Sequence, residues 1–461
     1  MSGTEVRPQE LVELALDLSK ANSCVVIGEQ ISDANLRWAN NTLTTNGIAH
    51  RNQLTVISII GGAVGVMSRS GVTIDSLEAL VRSAEHVAST GPEAEDQMAL
   101  VDSVGEPDGW DSPPAETSIR VFEGVAPSLG EAFGRASAQG ELLFGYAEHE
   151  LRSTYVATSA GLRAHHDQPT GHVEINAKSA DFSRSAWAGV ASADFRDVDI
   201  ESLTQDLSRR LAWAERRIDL APGRYETILP PSAVADLMID LYWSAGGRDA
   251  HDGRTVFSRP GGETRVGERL GDGTVTLRSD AAASGLQCSP IVIAEQSGST
   301  ISVFDNGLPL GSTAWIDGGV LTSLVQTRYS AQLTGLPVTP YVDNLIMDGP
   351  PDGPSLDDMV ASSERALLLT CLWYIREVDP QTLLLTGLTR DGVYLVEGGE
   401  VVGAVNNFRF NESPVDMLGR ILEVGGSVRT LPREWADYFT RTAMPPLRID
   451  GFNMSSVSQA S

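Results

Sequence analysis

The chain has 461 residues, which corresponds to two or three domains at about 100–200 residues each. Hydrophobic residues make up 41% of it and the mean hydropathy is −0.08, so the composition is that of a globular protein and not of a disordered chain. The formal net charge of −27 repels phosphate backbones and anionic lipid surfaces, which argues against nucleic acid and membranes as partners.

The cysteines and the first residues predict where the protein is found. Cys24, Cys288 and Cys371 are odd in number and far apart, which argues against a disulfide framework and favours a reducing compartment. The N-terminal segment lacks the basic and apolar regions of a signal peptide. The apolar runs fall short of the roughly 20 residues that a membrane helix needs. We therefore expect a cytoplasmic protein.

The first hundred residues predict a helix, antiparallel hairpins and a second helix. Apolar residues recur at helical spacing within Pro8–Lys20 and Thr73–Ser89. Alternating patterns between them predict short strands at Cys24–Gly28, Asn35–Asn40, Thr42–His50, Leu54–Ile60 and Ala63–Ser68. The pairs Asn40-Asn41, Asn46-Gly47 and Gly61-Gly62 are typical of tight turns between such strands.

A linker and a β-meander are predicted next. Val101–Glu116 is rich in Pro, Gly, Asp and Ser, which indicates a long loop. Helices are predicted at Ala126–Gln139 and Leu203–Arg216. The strands of the meander are predicted at Glu141–Glu150, Arg152–Thr158, Leu162–His166 and Gly171–Ala180. Ala221-Pro222-Gly223 then marks a domain boundary near residue 223.

The rest of the chain is predicted to be mostly β, with two helices. One helix spans Ser232–Trp243, with Ser232 as its N-cap after a proline pair. The other spans Met359–Leu372 and follows a capping box formed by Ser355 and Asp358. Two similar hairpins turn at Asp317-Gly318-Gly319 and at Glu397-Gly398-Gly399.

These elements predict an α+β chain in two parts. An N-terminal mixed α/β region carries antiparallel hairpins, and a mostly β C-terminal domain contains one or two long helices. The predicted segments are an N-terminal region at 1–100, a central β-meander at 117–222, a C-terminal β-rich domain at 223–452 and a polar, disordered tail at 453–461.

The densest group of possible metal ligands is His165, His166 and Asp167, with His172 shortly after. Imidazole and carboxylate are common metal-ligand types. Zinc motifs normally add a second, spaced ligand pair, which is missing here. A polar hairpin tip, with Gln168-Pro169-Thr170-Gly171 as its turn, is therefore the favoured interpretation.

Other motifs give structural interpretations. Gly61-Gly62-Ala63-Val64-Gly65 follows an apolar strand, but the complete dinucleotide fingerprint is missing and a strand follows, so a hairpin turn is favoured. His251-Asp252-Gly253 is interpreted as a turn. Neither a nucleophile elbow nor a Walker A sequence occurs. Cys371 falls in a predicted apolar helix, where a core thiol is expected.

The helix Ser232–Trp243 contains neither His nor Glu. A metallohydrolase helix needs two imidazoles on one face and a general base. This helix offers Asp236 and Asp240, which are four residues apart and can share a face. Without nitrogen ligands, the pair is predicted to form a solvated face.

Several segments also carry a pattern that runs in order through nearly the whole chain. The most specific block is Phe304-Asp305-Asn306-Gly307 followed by Asp317–Leu321 and Thr327–Ala331. The other segments are Asn35–Asn41, Gly47-Ile48, Gly61–Ser68, Thr154–Leu162, Pro222–Leu229, Pro340–Asp348, Leu388–Val405 and Pro445–Ile449. Together they resemble the TldD/PmbA family, also called the TldD/TldE family.

The resemblance implies which branch of the family this is. Active TldD-type subunits carry H-E-x-x-x-H on the helix after the Pro-Gly-x-Tyr strand, and a further Cys ligand near the C-terminus. A gapless comparison places Met238, Ile239 and Trp243 at the motif positions, and no cysteine follows Cys371. The resemblance therefore implies the TldE (PmbA) type, which lacks the zinc motif. No catalytic, metal-binding or cofactor-binding residue is predicted in this chain.

The implied function is that of a non-catalytic subunit in a cytosolic heteromeric zinc metalloprotease. Its partner would be a TldD-like subunit that holds the zinc, and its substrate an unfolded peptide in peptide maturation or antitoxin degradation. Two alternatives stay open. One is a stand-alone peptide-binding homodimer. The other is a hydrolase with an unfamiliar site at His165, His166, Asp167 and His172, or at Asp236 and Asp240.

Overall fold

The computed structural model describes residues 6–102, 109–271, 273 and 275–458. Its N-terminal half is built on one antiparallel sheet. The strands are β1 (Ser23–Ala39), β2 (Thr42–Ile60), β3 (Ala63–Ser70), β4 (Glu141–Thr158), β5 (Arg163–Ser179) and β6 (Ser185–Ala191). Their order is β3-β2-β1-β4-β5-β6, so strands from the first hundred residues and from the meander share one sheet.

Four helices cover one face of this sheet. They are α1 (Pro8–Leu18), α2 (Ile74–Thr90), α3 (Ala126–Gln139) and α4 (Ile200–Trp213), and a 3₁₀ turn at Ile119–Phe122 precedes α3. Side chains of a strand alternate between its faces. Cys24 and Val26 of β1 therefore pack with α1 and α2, and Leu36 and Trp38 of the same face pack with α3 and α4.

The opposite face of the sheet meets the C-terminal half of the chain. Val25 and Ile27 of β1 cluster with Ile57 of β2 and with Val303 and Phe304, which lie far along the sequence. The face that α1 to α4 leave open is thus covered by the C-terminal half, and side chains of the two halves contact each other there.

The C-terminal half contains two sheets. Its strands are β7 (Arg217–Ile218), β8 (Gly223–Leu229), β9 (Thr276–Ser279), β10 (Thr313–Asp317), β11 (Val320–Leu321), β12 (Leu345–Asp348), β13 (Arg365–Leu369), β14 (Leu372–Asp379), β15 (Leu384–Thr389), β16 (Val393–Glu397), β17 (Glu400–Val405), β18 (Phe408–Glu412), β19 (Ile421–Val424), β20 (Val428–Thr430), β21 (Thr442–Met444) and β22 (Leu447–Val457). The smaller sheet has the order β11-β10-β9-β12-β21-β20. The larger has the order β14-β15-β18-β22-β8-β13-β16-β17-β7, and β19 pairs with β22.

Helix α5 (Pro231–Trp243) lies in the core of this half. Apolar residues occupy all sides of it, which is typical of a helix without a solvent face. It packs with residues of both C-terminal sheets in one large cluster. The remaining helices are short: α6 (Gly247–His251), α7 (Arg328–Thr334), α8 (Leu356–Ser362), α9 (Pro414–Leu418) and a 3₁₀ turn at Val303–Asp305. The predicted α+β class is confirmed.

The predicted helix Met359–Leu372 is wrong beyond its first turn. The capping box of Ser355 and Asp358 is present, but α8 ends at Ser362. The apolar run that follows forms β13, which pairs in parallel with β8 and antiparallel with β16. A short apolar run fits a strand buried on both faces as well as it fits a helix, and here sheet pairing decides. Cys371 consequently lies between β13 and β14 and not in a helix.

Two predicted turns are wrong because the strands are longer than the pattern indicates. β1 and β2 pair past Asn46-Gly47 and turn at Asn40-Asn41, where both residues have positive φ. Likewise, β4 and β5 pair through Gln168–Gly171, so this segment is strand. Pro169 is tolerated because β5 pairs with β6 only from His172 onward, which leaves the proline on a free edge.

The start of α5, the C-terminal tail and the linker also differ from their predictions or fall partly outside the described residues. Ser232 is not the N-cap of α5, because the helix begins at Pro231 and Pro230 is the cap. Residues 453–457 of the predicted disordered tail form the end of β22, whereas 459–461 lie outside the described residues. Part of the predicted linker, 103–108, also lies outside them. Within the described part of the chain, no helix is long and apolar enough to cross a membrane.

Candidate functional site

Helix α5 is the element on which metal ligands would be expected. Met238 and Ile239 are fully buried within the large cluster of the C-terminal half. Trp243, at the end of the helix, is 37% exposed and packs edge-on against Trp435, with ring centroids 4.9 Å apart. Hydrocarbon, thioether and indole side chains offer none of the nitrogen or carboxylate ligands of a hydrolytic zinc site. These three positions therefore serve packing.

Asp236 lies on α5 and is fully buried, so the predicted solvated face is wrong. Its Oδ1 accepts a hydrogen bond of 2.8 Å from the backbone N–H of Glu434. Its Oδ2 has no hydrogen-bond partner among the described atoms. Burial raises the pKa of Asp236 well above its usual range, because a charged carboxylate loses its hydration there. The group binds a loop and does not face water.

Asp240 lies one turn further along α5. Burial raises its pKa to about 7, and the negative charges of Glu377 and Glu434 add to this effect. The indole N–H of Trp435 opposes it by donating to Asp240 Oδ2 at 3.3 Å, and the same N–H donates to the backbone oxygen of Asp236 at 3.1 Å. Both aspartates thus hold the segment around Trp435 against α5.

That segment, residues 431–441, joins β20 to β21, and we refer to it as the crossing loop. Beyond α5 it reaches the face of the N-terminal sheet that α1 to α4 do not cover. Arg433 lies between the rings of Trp187 on β6 and Trp373 on β14, with its guanidinium carbon 5.5 Å and 3.6 Å from the ring centroids. The crossing loop therefore contacts α5 with one part and the N-terminal sheet with another.

His165 and Asp167 lie within β5 and not at a hairpin tip. His165 Nε2 is 3.0 Å from Asp167 Oδ1, and the imidazole stacks on Tyr155 at a centroid distance of 4.3 Å. Asp167 also accepts a hydrogen bond from the hydroxyl of Ser153, which is fully buried. The carboxylate stands between the serine and the histidine, so the imidazole cannot take a proton from the hydroxyl, as a Ser-His-Asp triad requires.

The other two histidines of the predicted cluster lie on the opposite face of β5. His166 Nε2 is 3.0 Å from Gln168 Oε1, and burial lowers the pKa of the imidazole. His172 is six residues further along the strand. The alternation of the strand therefore separates His165 and Asp167 from His166 and His172, and the four side chains do not form one site.

His172 instead meets two residues that the sequence did not single out. Its Nε2 is 4.0 Å from Oε1 of Glu174, two residues along the same face. Asp437 of the crossing loop completes a group of three whose ligand atoms all lie within 4.8 Å of one another. His172, Glu174 and Asp437 could together hold a cation, and they are the group of histidine and acidic side chains found with this spacing within the described residues. The His-x-Glu spacing in a strand was a usable signal, whereas Asp437 gave none.

The cysteines are unreactive core residues. All three are buried and free of disulfides. Burial raises the pKa of Cys24 and of Cys288 to about 11, and it also raises the pKa of Cys371. A thiol with a raised pKa carries little thiolate at neutral pH, and the thiolate is the nucleophile and the metal ligand. The prediction of a core thiol at Cys371 is confirmed, although its secondary structure differs.

A small cavity lies between β5 and the crossing loop. It has a volume of about 100 Å³ and is lined by Gln168, Thr170 and Arg441, among others. A larger cavity of about 240 Å³ lies beside Val292, Tyr341 and Asp343. Both are smaller than the roughly 300–1,000 Å³ of typical small-molecule sites. Neither is lined by Asp236 or Asp240.

Comparison with protein families gives two matches. The model of the PmbA/TldA metallopeptidase C-terminal domain matches residues 222–456, and that of PmbA/TldA metallopeptidase domain 1 matches residues 24–88. The first alone covers half of the chain. The chain belongs to the TldD/PmbA metallopeptidase family. The resemblance drawn from the sequence is thereby confirmed, and α5 lies within the matched C-terminal domain.

Solved structures share the TldD/PmbA fold. TldE from Thermococcus kodakarensis has a TM-score of 0.79 at 15% identity, covering 96% of this chain and 99% of its own. A protein from Thermotoga maritima, described as a candidate modulator of a DNA gyrase, has a TM-score of 0.77 at 16% identity and the same coverage. A protein from Bacteroides thetaiotaomicron with a similar description has a TM-score of 0.75 at 15% identity, covering 99% and 100%. A comparison with curated proteins finds no match.

Proposed function

We propose that this chain is the non-catalytic, TldE/PmbA-type subunit of a cytoplasmic heteromeric zinc metalloprotease. The observation that carries the proposal is the chemistry of α5 in a chain of the TldD/PmbA metallopeptidase family. Its side chains at the expected motif positions are apolar, and its two aspartates bind the crossing loop. Zinc, the activated water and the general base would come from a TldD-like partner.

In this proposal the chain helps to hold an unfolded peptide for the partner to cleave. β14 is an outer strand of the larger sheet. Tyr374 and Val378 on it are more than half exposed. Beyond Tyr374 and Ile375, whose N–H groups donate to Glu434, an extended peptide can add to this edge through main-chain hydrogen bonds, which favours unfolded substrates over folded ones. The substrate would be a peptide in maturation or an antitoxin in degradation.

Co-expression with a chain that carries H-E-x-x-x-H tests the proposal. We expect the two chains to co-purify and to cleave an unfolded polypeptide together, while this chain alone cleaves nothing. Replacing the first histidine of the partner's motif by Ala should abolish cleavage without separating the complex. Cleavage by this chain alone would contradict the proposal. A stable homodimer that binds peptide and ignores the partner would favour the stand-alone binding protein instead.

The hydrolase alternative is tested with the same complex. His166→Ala and Asp167→Ala remove side chains of the histidine segment of β5. On our proposal the assembled complex keeps its peptidase activity in both variants, because these side chains bond to neighbours within the fold. Loss of activity in folded, assembled variants would support the alternative.

A further inference from the structure

His172, Glu174 and Asp437 lie where the N-terminal sheet meets the crossing loop. We propose that they form a binding site for a divalent transition-metal ion, of which Zn²⁺ is the best probe. His172 and Glu174 project from the open face of β5, and Asp437 approaches from the crossing loop. The site is separate from α5 and is structural, so it goes beyond the proposed function and does not restore a catalytic centre.

The free nitrogen of His172 is the first argument. The residue is only 7% exposed, and its Nε2 has no hydrogen-bond partner among the described atoms. A buried polar atom without a partner is destabilising, because it loses its hydration without gaining a hydrogen bond, so such atoms are rare in native proteins. This nitrogen faces the carboxylate of Glu174 at 4.0 Å, a gap that is too wide for a hydrogen bond. A cation between the two atoms would give this nitrogen a partner.

The carboxylate of Glu174 is oriented by two hydrogen bonds, as carboxylates that bind metal ions commonly are. Its Oε2 accepts a hydrogen bond of 2.7 Å from the indole N–H of Trp187. Its Oε1 accepts one of 2.7 Å from the hydroxyl of Tyr146, which lies directly opposite on β4. Such outer contacts orient ligating side chains in metal sites. Each carboxylate oxygen can accept twice, so Oε1 keeps a free position for a cation.

The local charge also suits a cation. Glu174 is 4.0 Å from Arg433, so one of the two acidic groups is partly compensated. Asp437 is exposed, and no arginine, lysine or histidine of the described residues lies within ion-pair distance of it. The hydroxyl of Tyr146 lies 3.4 Å from Asp437 Oδ1. A divalent ion would bring the group of Glu174, Asp437 and Arg433 from −1 to +1.

The donor set selects the class of ion. One imidazole with two carboxylates is typical of zinc and its first-row neighbours, whereas Ca²⁺ and Mg²⁺ prefer oxygen alone and Cu⁺ prefers sulfur. Metal–ligand bonds of about 2.0–2.2 Å require ligand atoms about 3.4 Å apart in a tetrahedron. The atoms here lie within 4.8 Å of one another, so they must draw together. Asp437 can move because it is exposed on a loop.

Zinc titration of the EDTA-treated full chain tests the site. We expect one Zn²⁺ per chain by calorimetry and a Tm that rises by roughly 3–6 °C at a hundredfold excess over Kd. His172→Ala should weaken binding by at least tenfold and remove the Tm shift. Asp437→Asn should also weaken it by tenfold or more, and this exposed position keeps the test valid where His172→Ala fails to fold.

Matched controls separate the site from general surface binding. His50→Ala removes an exposed histidine of β2, and Asp352→Asn removes an exposed carboxylate elsewhere. Both should bind zinc like the parent chain. Equal zinc affinity in Asp437→Asn and the parent, or the absence of a zinc-dependent Tm shift in the parent, would overturn the inference. Neither result bears on the co-expression assay, because zinc held here is not expected to support peptide cleavage.

Discussion

Asp236 on α5 and Glu174 on β5 are both buried carboxylates that contact the crossing loop, and their surroundings differ. Asp236 has one backbone donor and an oxygen without a partner. Glu174 has two side-chain donors and the guanidinium of Arg433 nearby. The first environment favours a neutral acid, because burial disfavours charge that nothing compensates. The second provides the partners that stabilise a charged carboxylate.

The difference shows how two buried carboxylates beside the same loop can have opposite electrostatic surroundings. On α5, the two aspartates lie in an environment that raises their pKa, and they fix a loop. On β5, Glu174 has two side-chain donors and the guanidinium of Arg433 beside it, and it lies next to an imidazole nitrogen of His172 that has no hydrogen-bond partner among the described atoms. The side chains that could bind a cation, His172, Glu174 and Asp437, thus lie where β5 of the N-terminal sheet meets the crossing loop.

Replacing Arg433 tests the charged side of the comparison. Arg433→Ala removes the guanidinium between Trp187 and Trp373 and leaves Glu174 without its cation. Removing one member of a buried charge pair costs about 3–5 kcal/mol, and the lost ring contacts add to this. We expect the free energy of unfolding, measured by urea denaturation, to fall by about that amount.

A double-mutant cycle shows whether the charge is the reason. Adding Glu174→Gln to Arg433→Ala removes the uncompensated charge and should recover part of the loss. Arg433→Lys keeps the charge but not the planar group, and should lie between the parent and the alanine variant. If Glu174→Gln made the alanine variant less stable still, the ion pair would not be what holds β5 and the crossing loop together.

Replacing Asp236 tests the neutral side. Asp236→Ala leaves the N–H of Glu434 without its acceptor and opens space in the core, so we expect a loss of about 2–3 kcal/mol. Asp236→Asn keeps the acceptor and the shape and carries no charge. It should cost less than about 1 kcal/mol at neutral pH in the same urea experiment. An asparagine variant as unstable as the alanine variant would mean that the parent needs the ionised carboxylate.

The sequence predicts the fold class, the helices α1 to α5 and the family, because these depend on periodicity and on patterns spread over the chain. Strand length is predicted less well. Asn46-Gly47 and Gln168–Gly171 have local turn character, and continuous pairing with neighbouring strands overrides it. The run after Ser362 is apolar in a way that fits helix or strand, and only its pairing with β8 and β16 decides.

The site is predicted less completely than the fold. An aspartate on a helix that is apolar on every side is expected to be buried, so the burial of Asp236 could have been predicted from the sequence. The i, i+4 spacing of Asp236 and Asp240 instead led to the prediction of a solvated face. His172 and Glu174 follow strand periodicity and could be paired from the sequence. Asp437 comes from a loop far along the chain, and no local pattern marks it as their neighbour.

The pH dependence of stability gives the smallest effect and tests Asp240. Its pKa is about 7 in the folded chain and about 3.9 in an unfolded one, so between these values the folded state binds more protons. The stability that this group contributes is therefore fully present below about pH 4, and it is lost as the pH rises through 7. The free energy of unfolding of Asp240→Asn should change little between about pH 4 and pH 7. At pH 8 we expect the free energy of unfolding of this variant to exceed that of the parent by about 1–2 kcal/mol. This is less than the full pKa shift implies, because Asp240 is partly exposed. Asp352→Asn removes an exposed charge and should keep the pH dependence of the parent. A free energy of unfolding of the parent that rises from pH 4 to pH 8 because of Asp240 would contradict the assignment of this aspartate as a group whose pKa is raised by its place beside the crossing loop.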